Sequence, residues 1–171
     1  MVHIYTGDGK GKTTVAVGLS VRFAGTGQKV VFTQFLKDNT SGELKILGNM
    51  EGMTLVLADE AFGFYYRMTD EEKVRAAQVY DQLLRRAVKA AEEQKAGMLV
   101  LDELMSAYQY EFIDRKWFLE FLQNRTENLE VVMTGRDPAP ELLEVADYIS
   151  EIKKVRHPYD KGVPARDGIE K

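Results

Sequence analysis

The residues with the clearest chemical potential form a glycine-rich stretch from Thr6 to Thr14, which reads TGDGKGKTT. A short apolar run precedes it and a helical pattern follows it, which is the strand, loop and helix arrangement of a phosphate-binding loop. Glycines let backbone N–H groups turn inward and cradle anionic oxygens, and the following helix adds the positive end of its dipole. Lys12 would then reach the terminal phosphates, and the Thr13 hydroxyl would bind Mg²⁺.

One position departs from the general pattern of such loops. The pattern G-x-x-x-x-G-K-[ST] has a glycine five residues before Gly11, where this chain has Thr6. A glycine-rich turn that binds no ligand is therefore the alternative, although the Gly-Lys-Thr-Thr segment stands correctly between a strand pattern and a helix pattern. The loop residues predicted to bind the nucleotide are Thr6, Gly7, Asp8, Gly9, Lys10, Gly11, Lys12, Thr13 and Thr14.

Two acidic residues, Asp102 and Glu103, follow the apolar strand pattern at 98–101. Parallel sheets present ligand-binding groups at the carboxyl ends of their strands, and acidic residues there commonly hold the Mg²⁺ of a phosphate-loop site. The alternative is a solvated strand end that caps a helix. Together with the loop, the pair favours a metal site formed by Thr13, Asp102 and Glu103.

Three further polar side chains follow predicted strands at the same edge. Gln34 and Lys37 come at the end of the apolar segment 29–35, and Arg136 follows the segment 130–134. Each could reach the phosphates or a second substrate, because carboxyl ends of parallel strands share one edge. A lone arginine is more often part of a surface ion pair, so this alternative stays open for Arg136.

Strand patterns alternate with helix patterns along the whole chain, which predicts a single α/β domain over 1–171. We expect a mostly parallel sheet with helices on both faces, of the P-loop nucleotide-binding, RecA-like type. Long amphipathic helices are predicted from Thr69 to about Gln94, ending at Gly97, and from Asp114 onward. Residues 153–171 are basic and contain proline and glycine, which predicts a largely irregular tail near the site.

Composition narrows the class of protein. The 171 residues include no cysteine and two histidines, which excludes disulfides, thiolate metal sites and cysteine nucleophiles and disfavours a multi-histidine centre. A net charge of −4 gives no reason to expect nucleic acid as a partner. No apolar run approaches the roughly 20 residues that span a bilayer, and no leader pattern is visible. We expect a soluble cytoplasmic protein without a membrane partner.

Taken together, these motifs resemble the P-loop type of ATP:corrinoid adenosyltransferase, including the threonine that departs from the general loop pattern. The matching segments extend from about residue 3 to 170 and occur in the same order as in the family. Two of them, the tail and the TGR segment, are not general features of phosphate-binding loops. The matching segments are TGDGKGKTT at 6–14, QFLK at 34–37, GE at 42–43, LDEL at 101–104, TGR at 134–136, AD at 146–147 and HPYDKGVPARDGIE at 157–170. In the loop, Asp8 stands where the family usually has asparagine.

The resemblance implies that ATP transfers its 5′-deoxyadenosyl group to Co(I) of a reduced corrinoid and releases tripolyphosphate. The nucleophile is then the cobalt, and the protein acts by positioning and charge stabilisation. Lys12, Thr13 and Glu103 take the catalytic roles, with Mg²⁺ as cofactor. The resemblance also implies a homodimer and a reductase, such as a flavoprotein, that supplies electrons for Co(I).

Aromatic residues are concentrated in the segment 61–66, where Phe64 and Tyr66 match the family pattern G-F-x-[WY]. In the family these rings cover the lower face of the corrin, which removes an axial ligand and makes Co(II) easier to reduce. Tyr66 stands where tryptophan is often found. Taken from the residues alone, the rings would more often fill the core.

Two other functions fit the loop by itself. A P-loop phosphotransferase or ATPase would release ADP, and a non-catalytic nucleotide- or corrinoid-binding module would use the same pockets without turnover. The tail and the aromatic segment favour the adenosyltransferase, but they do not identify the preferred corrinoid.

Overall fold

The computed structural model describes residues 1–170, and its centre is one six-stranded sheet in which every recorded strand pair is parallel. The strand order is β3-β2-β4-β5-β1-β6. The strands are β1 (Val2–Thr6), β2 (Val30–Gln34), β3 (Met53–Leu55), β4 (Met98–Asp102), β5 (Glu130–Thr134) and β6 (Tyr148–Glu151). The predicted α/β class with a mostly parallel sheet is thereby confirmed.

Helices cover both faces of the sheet. They are α1 (Lys12–Ala24), α2 (Gly42–Leu47), α3 (Asp70–Glu93), α4 (Leu104–Gln109), α5 (Arg115–Asn124) and α6 (Pro140–Glu144). Successive strand residues point to opposite faces, so Val30 and Phe32 pack with α1 and α2, while Val31 packs with α3 to α6. Because both faces are buried, β2 and β4 are continuous buried runs rather than alternating ones.

Helix α3 begins after Thr69 and ends at about Gln94, as the sequence predicts. The Thr69 hydroxyl accepts a hydrogen bond from the Glu72 backbone N–H, and the Glu72 carboxylate accepts one from the Thr69 backbone N–H, which forms a capping box. Lys95 rather than Gly97 adopts the positive φ of +51° that terminates the helix, so the glycine is not needed for this turn. The helical spacing of apolar residues in this segment predicts that Val74 faces the core, but Val74 is exposed.

Helix α5 is capped by the side chain of Asp114, which accepts a hydrogen bond from the backbone N–H of Trp117. Phe118 is fully buried, as expected for a core residue. The helical spacing of the aromatic residues in this segment predicts that Trp117 and Phe121 also belong to the core, and the structure shows both rings partly buried and packed against it. The Arg85 guanidinium lies 4.3 Å from the Trp117 ring centroid and covers its outer face.

The polar residues of the interior collect at the carboxyl edge of the sheet. Thr6, Gln34, Asp102 and Thr134 end β1, β2, β4 and β5, and all are buried. Asp102 pairs with Gln34 across the ladder of β4 and β2. The sheet thus brings the ends of four strands beside the glycine-rich loop that follows β1.

Beyond β6 the chain has little regular structure. A single 3-10 turn, Pro158–Lys161, interrupts the segment 152–170. Among residues 1–170, no helix combines the length and the apolar character needed to cross a membrane.

Candidate active site

The loop after β1 encloses the ammonium group of Lys12. Lys12 Nζ donates hydrogen bonds to the carbonyl oxygens of Gly7 at 2.8 Å and Gly9 at 2.9 Å, and the residue is only 8% exposed. Gly11 has a φ of +123°, which other residues rarely adopt. Burial lowers the pKa of Lys12, and the negative charge of Glu103 opposes this shift. The ammonium is held by neutral oxygens that phosphate oxygens can replace.

Helix α1 offers free donors beside this ammonium. Its first residue is Lys12, and the preceding Gly11 provides no side-chain cap. The first turn also lacks an acidic residue, so no carboxylate competes for its N–H groups. Thr13 and Thr14 lie in this first turn, where the helix dipole favours an anion.

Asp102 is the hub of the polar network. Its carboxylate is completely buried, and it accepts hydrogen bonds from the Thr134 hydroxyl at 2.7 Å, from Gln34 Nε2 at 3.1 Å and from the Thr13 hydroxyl at 3.2 Å. Burying a charge in this way is tolerable because every donor is in place. Thr134 belongs to the TGR segment, but its hydrogen bond to Asp102 was not predicted, because a threonine at the end of a strand does not indicate its partner.

Lys37 supplies the positive charge that balances Asp102. Its Nζ lies 2.7 Å from Asp102 Oδ2 and 3.4 Å from the Thr13 hydroxyl. A second carboxylate, Glu43, is 3.9 Å from the same nitrogen and also accepts a hydrogen bond from Gln34. The Lys37 ammonium therefore occupies the space between the threonine and the aspartate.

Glu103 follows directly in an unusual backbone conformation. Its φ of +59° falls in the left-handed region, and its N–H donates to the Thr134 hydroxyl at 2.9 Å. Burial raises the pKa of the Glu103 carboxyl, and the negative charge of Asp102 adds to the effect, whereas the cations Lys37, Lys12 and Arg136 oppose it. A strained, partly desolvated acid at a strand end is a common feature of functional sites.

The chemistry of these donors fits Mg²⁺. This cation prefers oxygen ligands and is usually held by one or two carboxylates, with phosphates and water completing the shell. The Thr13 hydroxyl and the Asp102 carboxylate lie 3.2 Å apart, and Glu103 is adjacent in the chain. Among residues 1–170 no group of three or more His, Cys, Asp and Glu side chains could hold a metal.

Arg136 follows β5 and is exposed beside the loop. Its positive charge acts on Asp8, Lys12 and Glu103, which places it among the predicted site residues. Gly135 has a φ of +142°, and a Cβ there would lie 2.5 Å from the Cβ of Met105. The glycine is therefore needed where β5 turns towards Arg136.

The remaining loop residues face the tail. The Asp8 carboxylate accepts a hydrogen bond from the backbone N–H of Lys154 at 2.9 Å, a contact that the sequence did not reveal. Lys10 is exposed, and its charge acts on Glu170. Thr6 continues the ladder of β1 and β6 through a hydrogen bond from Ile152 N–H.

Phe64 and Tyr66 lie in the segment after β3 and do not fill the core. They are 67% and 74% exposed, and their rings stack with centroids 5.5 Å apart. The Arg67 guanidinium lies 5.9 Å and 5.5 Å from the two centroids. Between them in sequence, Tyr65 turns inward and stacks on Tyr110 with centroids 4.0 Å apart. Two large rings left exposed side by side are typical of a binding surface.

Comparison with known proteins gives relatives along nearly the full chain. The corrinoid adenosyltransferase of Escherichia coli (strain K12) is 32% identical over 171 residues, covering 99% of this chain and 85% of that protein. The corrinoid adenosyltransferase of Pseudomonas aeruginosa is 33% identical over 172 residues, covering 98% of this chain and 81% of that protein. Corrinoid adenosyltransferase CobA of Salmonella typhimurium is 31% identical over 171 residues, covering 99% and 85%.

A solved structure shares the fold at low identity. EssC (ATPases 2 and 3) from Geobacillus thermodenitrificans superimposes with a TM-score of 0.51 at 14% identity, covering 99% of this chain and 36% of that chain. This likeness supports the α/β P-loop fold alone. The family model for ATP:corrinoid adenosyltransferase BtuR/CobO/CobP matches residues 1–170. With the loop, the acidic strand end and the full-length relatives in agreement, the chain belongs to this family of ATP:corrinoid adenosyltransferases.

Proposed function

We propose that the carboxyl edge of the sheet binds ATP with Mg²⁺ and directs transfer of the adenosyl group to the cobalt of a corrinoid. The single observation that carries this assignment is the convergence of the Lys12 ammonium, the free N-terminus of α1 and the Asp102 network at one edge. Members of the family transfer the adenosyl group of ATP to corrinoid cobalt. The residues of the site are our assignment.

In the reaction, Co(I) attacks the 5′-carbon of ATP, the Co–C bond forms, and the bond from that carbon to the triphosphate oxygen breaks. The two electrons of the new bond come from cobalt, and the departing tripolyphosphate keeps the pair of the broken bond. No side chain needs to act as nucleophile or base. The chain contributes by holding the triphosphate so that the 5′-carbon faces the corrin.

The main task of the protein is to stabilise the negative charge on the departing tripolyphosphate. Lys12 exchanges its carbonyl partners for phosphate oxygens, and the backbone N–H groups of residues 7 to 13, apart from the Gly9 N–H that donates to the Ile152 carbonyl, add neutral donors. Lys37 and Arg136 add positive charge from the ends of β2 and β5, while Gln34 keeps Asp102 in place. Mg²⁺, held by Thr13, Asp102 and Glu103, would neutralise further charge on the polyphosphate when bound.

The exposed pair Phe64 and Tyr66 is proposed to cover the lower face of the corrin. Their stacked rings provide an apolar surface without a ligating atom, apart from the weakly ligating Tyr66 hydroxyl. A cobalt without a lower axial ligand is easier to reduce to Co(I). Because both rings are mostly exposed, they are available for such a contact without any rearrangement of the core.

The resemblance to the family also supports three further proposals. The chain would act as a homodimer in the cytoplasm and would receive Co(I) through a reductase such as a flavoprotein. Light scattering at several protein concentrations tests the dimer, cell fractionation tests the compartment, and turnover with and without added flavoprotein tests the reductase.

The deciding experiment is anaerobic product analysis with ATP, Mg²⁺ and chemically reduced cobalamin. We expect light-labile adenosylcobalamin and tripolyphosphate in equal amounts. Lys12→Ala should abolish both products. Lys29→Ala is the matched control, because this lysine is exposed and precedes β2 at the opposite edge of the sheet. ADP or inorganic phosphate with unchanged cobalamin would instead identify a phosphotransferase or ATPase, and binding without any product would indicate a non-catalytic module.

A further inference from the structure

Two hydrogen bonds join the phosphate-binding loop to the beginning of the tail. The Gly9 N–H donates to the Ile152 carbonyl at 2.8 Å, and the Lys154 N–H donates to Asp8 Oδ1 at 2.9 Å. A third bond, from Ile152 N–H to the Thr6 carbonyl at 2.8 Å, extends the ladder of β1 and β6. The loop is therefore held from one side by the chain that follows β6.

The chain after β6 lies too close to the loop for a side chain at Gly7 or Gly9. A Cβ at Gly7 would lie 2.4 Å from the Ile152 carbonyl oxygen, and a Cβ at Gly9 would lie 2.7 Å from the same atom. The lack of a side chain at these two glycines thus allows the tail to approach, and it also leaves the loop free to bind phosphate through its backbone. Asp8, which stands between them, is the residue whose side chain reaches the tail.

The charge of Asp8 is compensated at this contact. The hydrogen bond from the Lys154 backbone holds the pKa of the Asp8 carboxyl below its usual range, and the positive charges of Lys154 and Arg136 lower it further. Asp8 is consequently ionised at neutral pH. A free carboxylate beside a polyphosphate would repel it, whereas this carboxylate accepts a hydrogen bond from the Lys154 backbone N–H.

The tail returns to the loop at its far end. Lys154 Nζ pairs with Asp160 at 2.9 Å, which fixes the turn that follows the anchor point. Near the end of the described chain, hydrogen bonds from Arg166 lower the pKa of Glu170 to about 2, and the charge of Lys10 adds to this effect. The segment 154–170 therefore contacts Asp8 at its beginning, and at its end Glu170 lies close enough to Lys10 for the two charges to interact.

We propose that Asp8 is a positioning residue, which fastens the tail to the phosphate-binding loop through the Lys154 N–H and so shapes the ATP site. In this role its carboxylate contacts the tail and not the nucleotide. The effect on ATP rests on the site proposed above, whereas the anchoring of the tail does not. Asparagine, the family's usual residue, also has a side-chain oxygen that can accept this hydrogen bond.

Hydrogen exchange and steady-state kinetics test the anchor together. In Asp8→Ala, we expect amide exchange in peptides covering 153–160 to become about tenfold faster, because the charge-assisted hydrogen bond is lost. The KM for ATP should rise by about the same factor, while kcat at saturating ATP changes little. In Asp8→Asn, the exchange rate and the KM for ATP should both stay close to those of the unmodified protein. Lys153→Ala is the matched control and should change neither value, because the Lys153 side chain is 73% exposed and pairs with Glu151 rather than with Asp8 or Asp160.

Three results would overturn the proposal. Unchanged exchange in Asp8→Ala would mean that the carboxylate does not hold the tail. Faster exchange with an unchanged KM for ATP would mean that the tail does not shape the site. An increase in the exchange rate and in the KM for ATP that is as large in Asp8→Asn as in Asp8→Ala would point to a direct role of the charge. Adenosyl transfer by the unmodified protein is measured in parallel, so a failure of the site assignment is recognised separately.

Discussion

Replacing Lys37 by methionine removes the charge that balances the buried Asp102 carboxylate in the only ion pair of Asp102 among residues 1–170. The Lys37 ammonium lies 2.7 Å from Asp102 Oδ2, with Asp102 completely buried and the Lys37 side chain 25% exposed. Methionine keeps an unbranched apolar chain of similar length. The substitution Lys37→Met therefore isolates the loss of the charge from a loss of packing.

The expected cost follows from the environment of the pair. Removing one partner of a fully buried ion pair destabilises a protein by about 3 to 5 kcal/mol. Here the lysine is partly solvated, and Asp102 keeps hydrogen bonds from Thr13, Gln34 and Thr134. We therefore expect a loss of about 2 to 3 kcal/mol, which lowers Tm by roughly 4 to 12 °C in a chain of this size.

Magnesium should recover part of this loss. Because the lysine ammonium lies between Thr13 and Asp102, it shares the position proposed for the metal. Without it, Mg²⁺ at about ten times its Kd would add about 1.4 kcal/mol to the stability of the variant. The unmodified protein should gain less, since the metal there has to displace the ammonium.

The assay is thermal unfolding with and without Mg²⁺, in the absence of ATP. Lys89→Met is the matched control, because Lys89 is 72% exposed and its pair with Glu93 spans 3.7 Å on the surface. This control should change Tm little in either buffer. An unchanged Tm for Lys37→Met would refute the stabilising role of the pair. An equal gain from Mg²⁺ in both proteins would refute the shared position.

Three further outcomes are expected. Tyr66→Ala should leave Tm nearly unchanged because the ring is exposed, yet slow adenosylation by about tenfold when the assay starts from Co(II) and a reductant, with a smaller loss from preformed Co(I). Glu103→Gln should flatten the dependence of Tm on pH, measured without Mg²⁺. Burial raises the pKa of Glu103 above its ordinary 4.5, so the folded protein binds this proton more tightly and loses stability as pH rises through that pKa. Gly135→Ala should cost at least about 2 kcal/mol in chemical denaturation, because the new Cβ meets Met105 and the φ is unfavourable.

Local patterns in the sequence predicted most of the elements. The capping box at Thr69 and Glu72 and the cap at Asp114 were found because each depends on residues three apart in the chain. Continuous apolar runs identified the central strands, since both faces of the sheet are covered. The end of α3 at about Gln94 was predicted, but the terminating residue was not, because Lys95 rather than Gly97 adopts the positive φ and a lysine carries no signal for this conformation.

The details of the site depended on contacts between distant parts of the chain. The strand-end rule placed Gln34, Lys37 and Asp102 at one edge, but it could not show that Lys37 lies against Asp102, 65 residues away. The hydrogen bonds of Thr134 and Lys154 were not predicted, because one residue contributes a hydroxyl to a buried network and the other a backbone N–H. Groups of these kinds occur throughout a chain and carry no distinguishing pattern.

The two lysines of the site illustrate how the fold stores positive charge for an anionic substrate. Lys12 is held by carbonyl oxygens of its own loop, and Lys37 is held by a carboxylate from another strand. Neutral carbonyls hold a cation weakly enough for phosphate to replace them, whereas a buried carboxylate does not release it without another cation. At the proposed site, Lys12 would therefore respond to ATP alone, but Lys37 would become available to the phosphates only when Mg²⁺ takes its place beside Asp102. This coupling would make nucleotide and metal bind together rather than one after the other.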